Sequence, residues 1–262
     1  MNILMREQRA GRKAFLFWML GMFLLCFVGI IKYQSYSASG SMTELVASFP
    51  RIALAVMGVV GVDISTLTGY TVLLFYYVLI CAVIYAVHLG ASAVSRESVD
   101  RTYEFVFTKP CPRARVLGMK LVSAYGYLLL FCILNGGFSM LAAAYLNTTE
   151  SAGAQIWLCT LSVFLIGALF VALSAFLAAA AKRPERGTLY GNLAFLYAFI
   201  LGVVCNLLDH PGILRLIAPF NYFSAADLVA KRLDPLYAAV TLVLTAAFLY
   251  GAFREFQKKD LL

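Results

Sequence analysis

Between Ser95 and Lys120 the chain reads Ser-Arg-Glu-Ser-Val-Asp-Arg-Thr-Tyr-Glu-Phe-Val-Phe-Thr-Lys-Pro-Cys-Pro-Arg-Ala-Arg-Val-Leu-Gly-Met-Lys, a stretch that holds nine charged side chains. Val99, Tyr103 and Val106/Phe107 fall on one face of a helix. Glu97 precedes Arg101 by four, a favourable helical ion-pair spacing, whereas Asp100 and Glu104 repel at the same spacing and call for a basic partner. Pro110 and Pro112 end that helix, and Arg113 and Arg115 open the next. The chemistry such a segment supports is charge pairing and docking, with an amphipathic helix resting on a membrane surface as the alternative. Catalytic patterns are missing. The chain has no G-x-x-x-x-G-K-[ST] phosphate loop and no H-E-x-x-H, and its two histidines, His88 and His210, lie apart without nearby ligand-type residues. The six cysteines, Cys26, Cys81, Cys111, Cys132, Cys159 and Cys205, include no C-x-x-C pair, and five sit in apolar runs as small hydrophobes.

The elements that position this segment are membrane helices. Of the 262 residues, 62% are hydrophobic and 13% charged, and the mean hydropathy is +0.85. Soluble domains carry about 45–50% apolar and about 25% charged residues. The excess apolar surface requires a bilayer, and no polar stretch is left over for a soluble nucleotide-hydrolysing module. The expected fold is all-α and integral to the membrane, a single domain over 1–262 with spans near 14–31, 67–94, 116–146, 156–181, 189–208 and 236–253. The first apolar run, Ala14 to Ile31, follows a basic start as in a signal peptide. Its 18 residues exceed the about 7–15 of a signal core and favour a retained span. Asn135-Gly136-Gly137 interrupts the third span as a kink or a close-packing point.

The net charge of +8 sits in short blocks between apolar runs. Sixteen of the 21 basic residues fall on the side of the N-terminus, the 95–120 segment, Lys182–Arg186 and the C-terminal tail, against five (Lys32, Arg51, Arg215, Lys231 and Arg232) on the other. The positive-inside rule puts both termini in the cytoplasm, and the block pattern argues against nucleic acid as a partner. Two outer segments are not ordinary loops. Residues 33–66 hold an apolar piece, Leu45 to Val62, broken by Pro50-Arg51 and by Gly58 and Gly61, expected to be interfacial or re-entrant with a seventh span as the alternative. In 209–234, Ile213, Leu214, Leu216 and Ile217 form an apolar face ahead of Pro219, as in a hairpin dipping into the membrane. Inside the spans, Asn135, Asn192 and Thr160 read as helix–helix hydrogen-bonding groups. Tyr76, Tyr77, Tyr85, Phe131 and Tyr197 could line an amphiphile path or simply pack.

The 95–120 segment resembles the permease subunits of ABC-2 type exporters. In that family the second span leads into small residues, a Glu, a Gly-Thr-like pair, a second Glu, Leu-Leu-x-x-Pro, a basic residue and Lys-Leu. The matching positions are Gly90, Ala91, Glu97, Thr102, Glu104, Thr108, Pro110, Arg113, Lys120 and Leu121, with Arg101 before the Thr and Phe105-Val106-Phe107 in place of the Leu pair. Ser48-Phe-Pro50 through Gly58, Asp63, Gly69-Tyr70, Ala218 to Asp227, Leu233 to Tyr237 and the terminal Phe256 to Leu261 extend the resemblance over nearly the whole chain. It implies an ATP-driven exporter of a bacterial cytoplasmic membrane. The permease would pair with a second copy or a similar permease and bind two copies of a separate ATPase that carries the ATP and magnesium, with no cofactor in this chain. The ATPase-coupling residues it implies are Glu97, Arg101, Thr102, Tyr103, Glu104, Phe107, Thr108, Pro110 and Arg113. The lack of intramembrane charge suggests an amphiphilic, lipid-like or peptide cargo. The alternative is a non-transporting membrane component that passes ATPase force to an outer-face partner.

Overall fold

A computed structural model describes residues 3–39, 48–99, 112–146, 152–208 and 212–258, and these form helices and turns without a strand. The elements are α1 (Ile3–Phe23), a π-helical turn (Leu24–Val28), α2 (Gly29–Ser39), α3 (Arg51–Val56), α4 (Leu67–Val99), α5 (Arg113–Tyr145), α6 (Gly153–Ala180), α7 (Gly187–Leu207), α8 (Ala225–Val229) and α9 (Pro235–Lys258). Six stretches among the described residues are long and apolar enough to cross a membrane: Met5–Ser35, Leu67–Arg96, Arg113–Tyr145, Gly153–Ala180, Gly187–Leu207 and Pro235–Lys258. Each corresponds to one expected span. The first begins earlier than the apolar run that marks it, and the second continues to Val99. A helix need not stop where hydrocarbon ends, because its backbone bonds are satisfied internally in water as in lipid.

The second and fourth spans are the most buried and the fifth and sixth the least, so α4 and α6 form the centre of the bundle. Small residues let their backbones touch. A Cβ at Gly90 would lie 2.2 Å from both the Val171 carbonyl oxygen and Ser174 Oγ, so any side chain there would push α4 off α6. Gly191 does the same for α7, where a Cβ would meet Val87 at 2.6 Å. In α5 the Asn135-Gly136-Gly137 run leaves the helix unbroken. Gly136 is the close-packing point, its Cβ position 2.8 Å from Thr160 Oγ1 of α6, while Gly137 faces open space.

The described residues of the blocks rich in Lys and Arg gather at one end of the bundle. Glu7 of α1 meets Arg96 of α4, Gly118 of α5 faces the Phe253 ring of α9, and the turn Pro184–Arg186 packs against α4. Among the described residues, 48–66 and 212–234 cap the opposite end. Pro50 stands at the N-cap of α3, and six residues rise only about 9 Å. Gly58 and Gly61 then turn the chain with φ of 71° and 76°. Tyr33 donates its hydroxyl to the Ser65 carbonyl at 2.7 Å, and Tyr70 donates to the Gly29 carbonyl at 3.2 Å. The 33–66 segment therefore returns to the end of the bundle it left. Asp63 accepts the Ser65 N–H at 2.9 Å and the Ser65 hydroxyl at 2.6 Å just ahead of α4. Those bonds hold its carboxyl below the ordinary aspartate range.

Candidate functional site

The resemblance implied ATPase-coupling residues within the 95–120 segment. Of its nominated residues, Arg101, Thr102, Tyr103, Glu104, Phe107, Thr108 and Pro110 lie outside the described residues. The flanks are described. Glu97 lies in the last turns of α4, so the segment starts as an unbroken continuation of the second span. Pro112, extended at φ −60° and ψ 136°, is the N-cap of α5, and Arg113 is its first residue. Proline suits that position because a residue ahead of the first turn needs no N–H for the helix, while its carbonyl accepts the Arg115 and Val116 N–H groups at 2.9 and 3.3 Å. The chain on either side of residues 100–111 thus belongs to two packed spans.

A polar cluster that sequence reasoning did not single out braces this root. Arg96 donates to Glu7 Oε2 at 2.5 Å. Glu7 is 8% exposed and Lys120 4% exposed, and with Gly11, Ser92, Ser123 and Tyr127 they line a small cavity between α1, α4 and α5. Tyr127 donates its hydroxyl to the Gln8 main-chain carbonyl, possible because Gly11 has no side chain: a Cβ there would sit 2.7 Å from the Tyr127 ring. Glu7, a lone acid among Arg6, Arg9, Arg12 and Lys13, was the available signal. Further along the first and third spans, the Cys26 thiol in the π-helical turn donates to Asn135 Oδ1 at 3.3 Å. Asn135 Nδ2 donates to the Phe131 carbonyl at 2.7 Å, and Thr160 bonds back to Ile156 at 2.8 Å. Asn135 thus links two helices, as its type and depth suggest, while Thr160 stays within its own helix.

At the opposite end, α4 lines a second cavity of about 40 Å³ with Val72, Phe75, Tyr76 and Leu79. Gly58, Ser162, Asn206, Asn221 and Ser224 complete its walls. The Tyr76 hydroxyl is buried there without a hydrogen-bond partner among the described residues, and the volume suffices for ordered water. Asn221 donates to Asn206 Oδ1 at 2.7 Å, and Asn206 donates to the Ala55 carbonyl at 3.1 Å, so one polar chain joins both cap segments to α7. Arg215 closes the second segment. Its guanidinium donates to the Asn221 carbonyl at 2.8 Å, the Tyr222 carbonyl at 3.2 Å and Asp227 at 3.3 Å, and lies 4.4 Å from the centroid of the Tyr237 ring. Burial, with Tyr237 beside it, raises the Tyr222 phenol above its ordinary value.

Of the aromatics considered for an amphiphile path, Tyr85 and Phe131 are buried against each other, with ring centroids 5.4 Å apart, and are packing residues. Tyr76 faces the cavity, and Tyr197 is 62% exposed on the bundle surface. Among the described residues no group of three His, Cys, Asp or Glu side chains is arranged to hold a metal ion.

A comparison with curated proteins returned no match. The model of a protein family described as ABC-2 family transporter protein matches residues 1–261. Six crossing-length helices, capped at one end by short helices and ending at the other in basic blocks, agree with that match over nearly the full length. The chain is therefore a multi-pass membrane protein and belongs to the ABC-2 family of transporters, as a transmembrane component.

Proposed function

We propose that this chain is the permease subunit of an ATP-driven exporter, with both termini in the cytoplasm and the 33–66 and 209–234 segments on the outer face. A separate ATPase, present in two copies and carrying the ATP and magnesium, engages the 96–109 segment of each of two permease chains. The chain works in a cytoplasmic membrane of bacterial type, and its cargo is amphiphilic, lipid-like or a hydrophobic peptide. The observation that supports this most is the continuity of α4. One 33-residue helix begins beside the cavity at Tyr76 and runs unbroken to Val99 at the root of the lever. Its contact with α6 at Gly90 is too tight for independent bending. Force applied beyond Val99 is carried to the opposite end, and packed helices respond by switching between discrete arrangements.

Glu104→Lys tests the reading. Truncating one partner of a buried interfacial charge pair costs about 2–5 kcal/mol, so the reversal should weaken ATPase co-purification or uncouple hydrolysis from export while the chain still inserts. Lys258→Glu is the control. Lys258 makes an exposed pair with Glu255 at 3.2 Å, of a kind contributing about 0–1 kcal/mol. Wild-type co-purification, hydrolysis and export in Glu104→Lys would remove this segment as the coupling element.

A further inference from the structure

At the basic end, a groove of about 410 Å³ opens between α1 and α5, lined by Gln8, Arg12, Phe15, Ser123, Gly126, Tyr127 and Leu130. An apolar cavity of about 150 Å³ already accepts a benzene-sized ligand, so this space is ample for a length of hydrocarbon chain. Its walls are firm. The Phe15 and Tyr127 rings pack with centroids 5.3 Å apart, and Tyr127 is tied to the Gln8 carbonyl. The floor stays open because position 126 is glycine, where an added Cβ would meet nothing within 4 Å. Leu130, 44% exposed, continues the floor towards the middle of the span.

The mouth of the groove is polar and cationic. Arg12 is exposed and makes no hydrogen bond or ion pair with another described residue. Its neighbours in sequence, Arg9 and Lys13, add positive charge, and the acid of this helix, Glu7, is already paired with Arg96. A guanidinium without a partner among the described residues, above an apolar slot and two residues before the apolar run that opens at Ala14, matches a ligand with an anionic head and a greasy tail. Basic pockets between membrane helices recognise phospholipid headgroups by this combination.

We propose that this groove binds one phospholipid with an anionic headgroup, Arg12 holding the phosphate and Phe15, Gly126 and Leu130 lying along an acyl chain. The lipid occupies the leaflet at the basic end, wedged between the first and third spans beside the Glu7–Arg96 brace. The proposal rests on membrane embedding and not on ATPase coupling, so failure of either leaves the other standing.

Native mass spectrometry of the full-length chain tests it, with the protein released from detergent after mixing with equal amounts of phosphatidylglycerol and phosphatidylcholine of matched chains. One phosphatidylglycerol should be retained in preference. Arg12→Gln should lower that preference about tenfold, the loss expected for a charge-assisted hydrogen bond. Gly126→Leu fills the slot from its floor and should release the lipid about as strongly, while leaving the lipid-free melting temperature no lower than that of the wild type. Gly21→Leu, at another exposed glycine with nothing within 4 Å, should retain lipid as the wild type does. Equal retention of the two lipids, undiminished retention in both Arg12→Gln and Gly126→Leu, or equal occupancy by inorganic phosphate alone would each overturn the proposal.

Discussion

Arg96 of α4 donates to Glu7 of α1 at 2.5 Å, joining residues 89 positions apart in the chain. The pair sits where the second span passes into the 96–109 segment, with Glu7 almost wholly removed from solvent and Arg96 only partly so. Breaking a buried pair by removing one partner costs about 3–5 kcal/mol, because the other charge stays behind. Arg96's side chain retains 24% exposure, which moves the expectation to the lower end. Arg96→Gln and Glu7→Gln should each destabilise the chain by about 3 kcal/mol or less. The double variant should cost less than the sum of the two, a coupling of about 0.5–3 kcal/mol for residues in contact. Thermal unfolding of all four proteins in one detergent checks this, and strict additivity would mean that the pair contributes nothing.

The sixteen-to-five division of basic residues predicts the sidedness of the bundle. In a cysteine-free background, Ser98→Cys and Pro184→Cys should resist membrane-impermeant thiol reagents in intact cells, and Ser151→Cys should react. Ser41→Cys and Ser65→Cys should both react from outside, since Tyr33 and Ser65 are bonded to each other. Labelling at 98 from outside would reverse the orientation. Opposite accessibility at 41 and 65 would require a further crossing between them.

Gly90→Leu should disrupt the α4–α6 contact. The nearest obstacle includes the Val171 carbonyl oxygen, which is backbone and cannot swing aside. Overpacked cores lose about 1–3 kcal/mol, occasionally more, and the upper end is expected here. Gly137→Ala, with nothing within 4 Å of its new methyl group, should be neutral or stabilising by up to about 1 kcal/mol through helix propensity. Melting temperatures of the two variants should move apart, and equal behaviour would contradict the packing described at Gly90.

Arg215→Lys should loosen the cap at the end opposite the lever. Lysine keeps the charge but loses the planar fork that reaches Asn221, Tyr222 and Asp227 and stacks on Tyr237. Limited proteolysis should cut the 212–234 region faster in this variant while the spans remain protected. Unchanged cleavage would show that Asn206 and Asn221 hold the cap without it.

The number of spans, their approximate limits and the class of the protein could be read from the sequence alone. A bilayer imposes a one-dimensional test, about 20 consecutive apolar residues, that each segment passes by itself. The return of the chain at Ser65 to the end of the bundle it left at Tyr33 was legible for a related reason, since proline, arginine and two glycines interrupt an apolar run too short to cross. Which helix faces which was decided only by the tertiary structure. A helix such as α6 is apolar almost all round, so periodicity does not mark its packing face, and in lipid small residues and rare polar groups choose the partners. Gly90 was visible as a motif glycine, but its purpose appears only where Val171 and Ser174 press against it. Cys26 with Asn135, Glu7 with Arg96, and Arg215 with Tyr237 are likewise meetings of distant residues. No local spacing encodes them, because the energy that selects each pair exists only once the helices have come together.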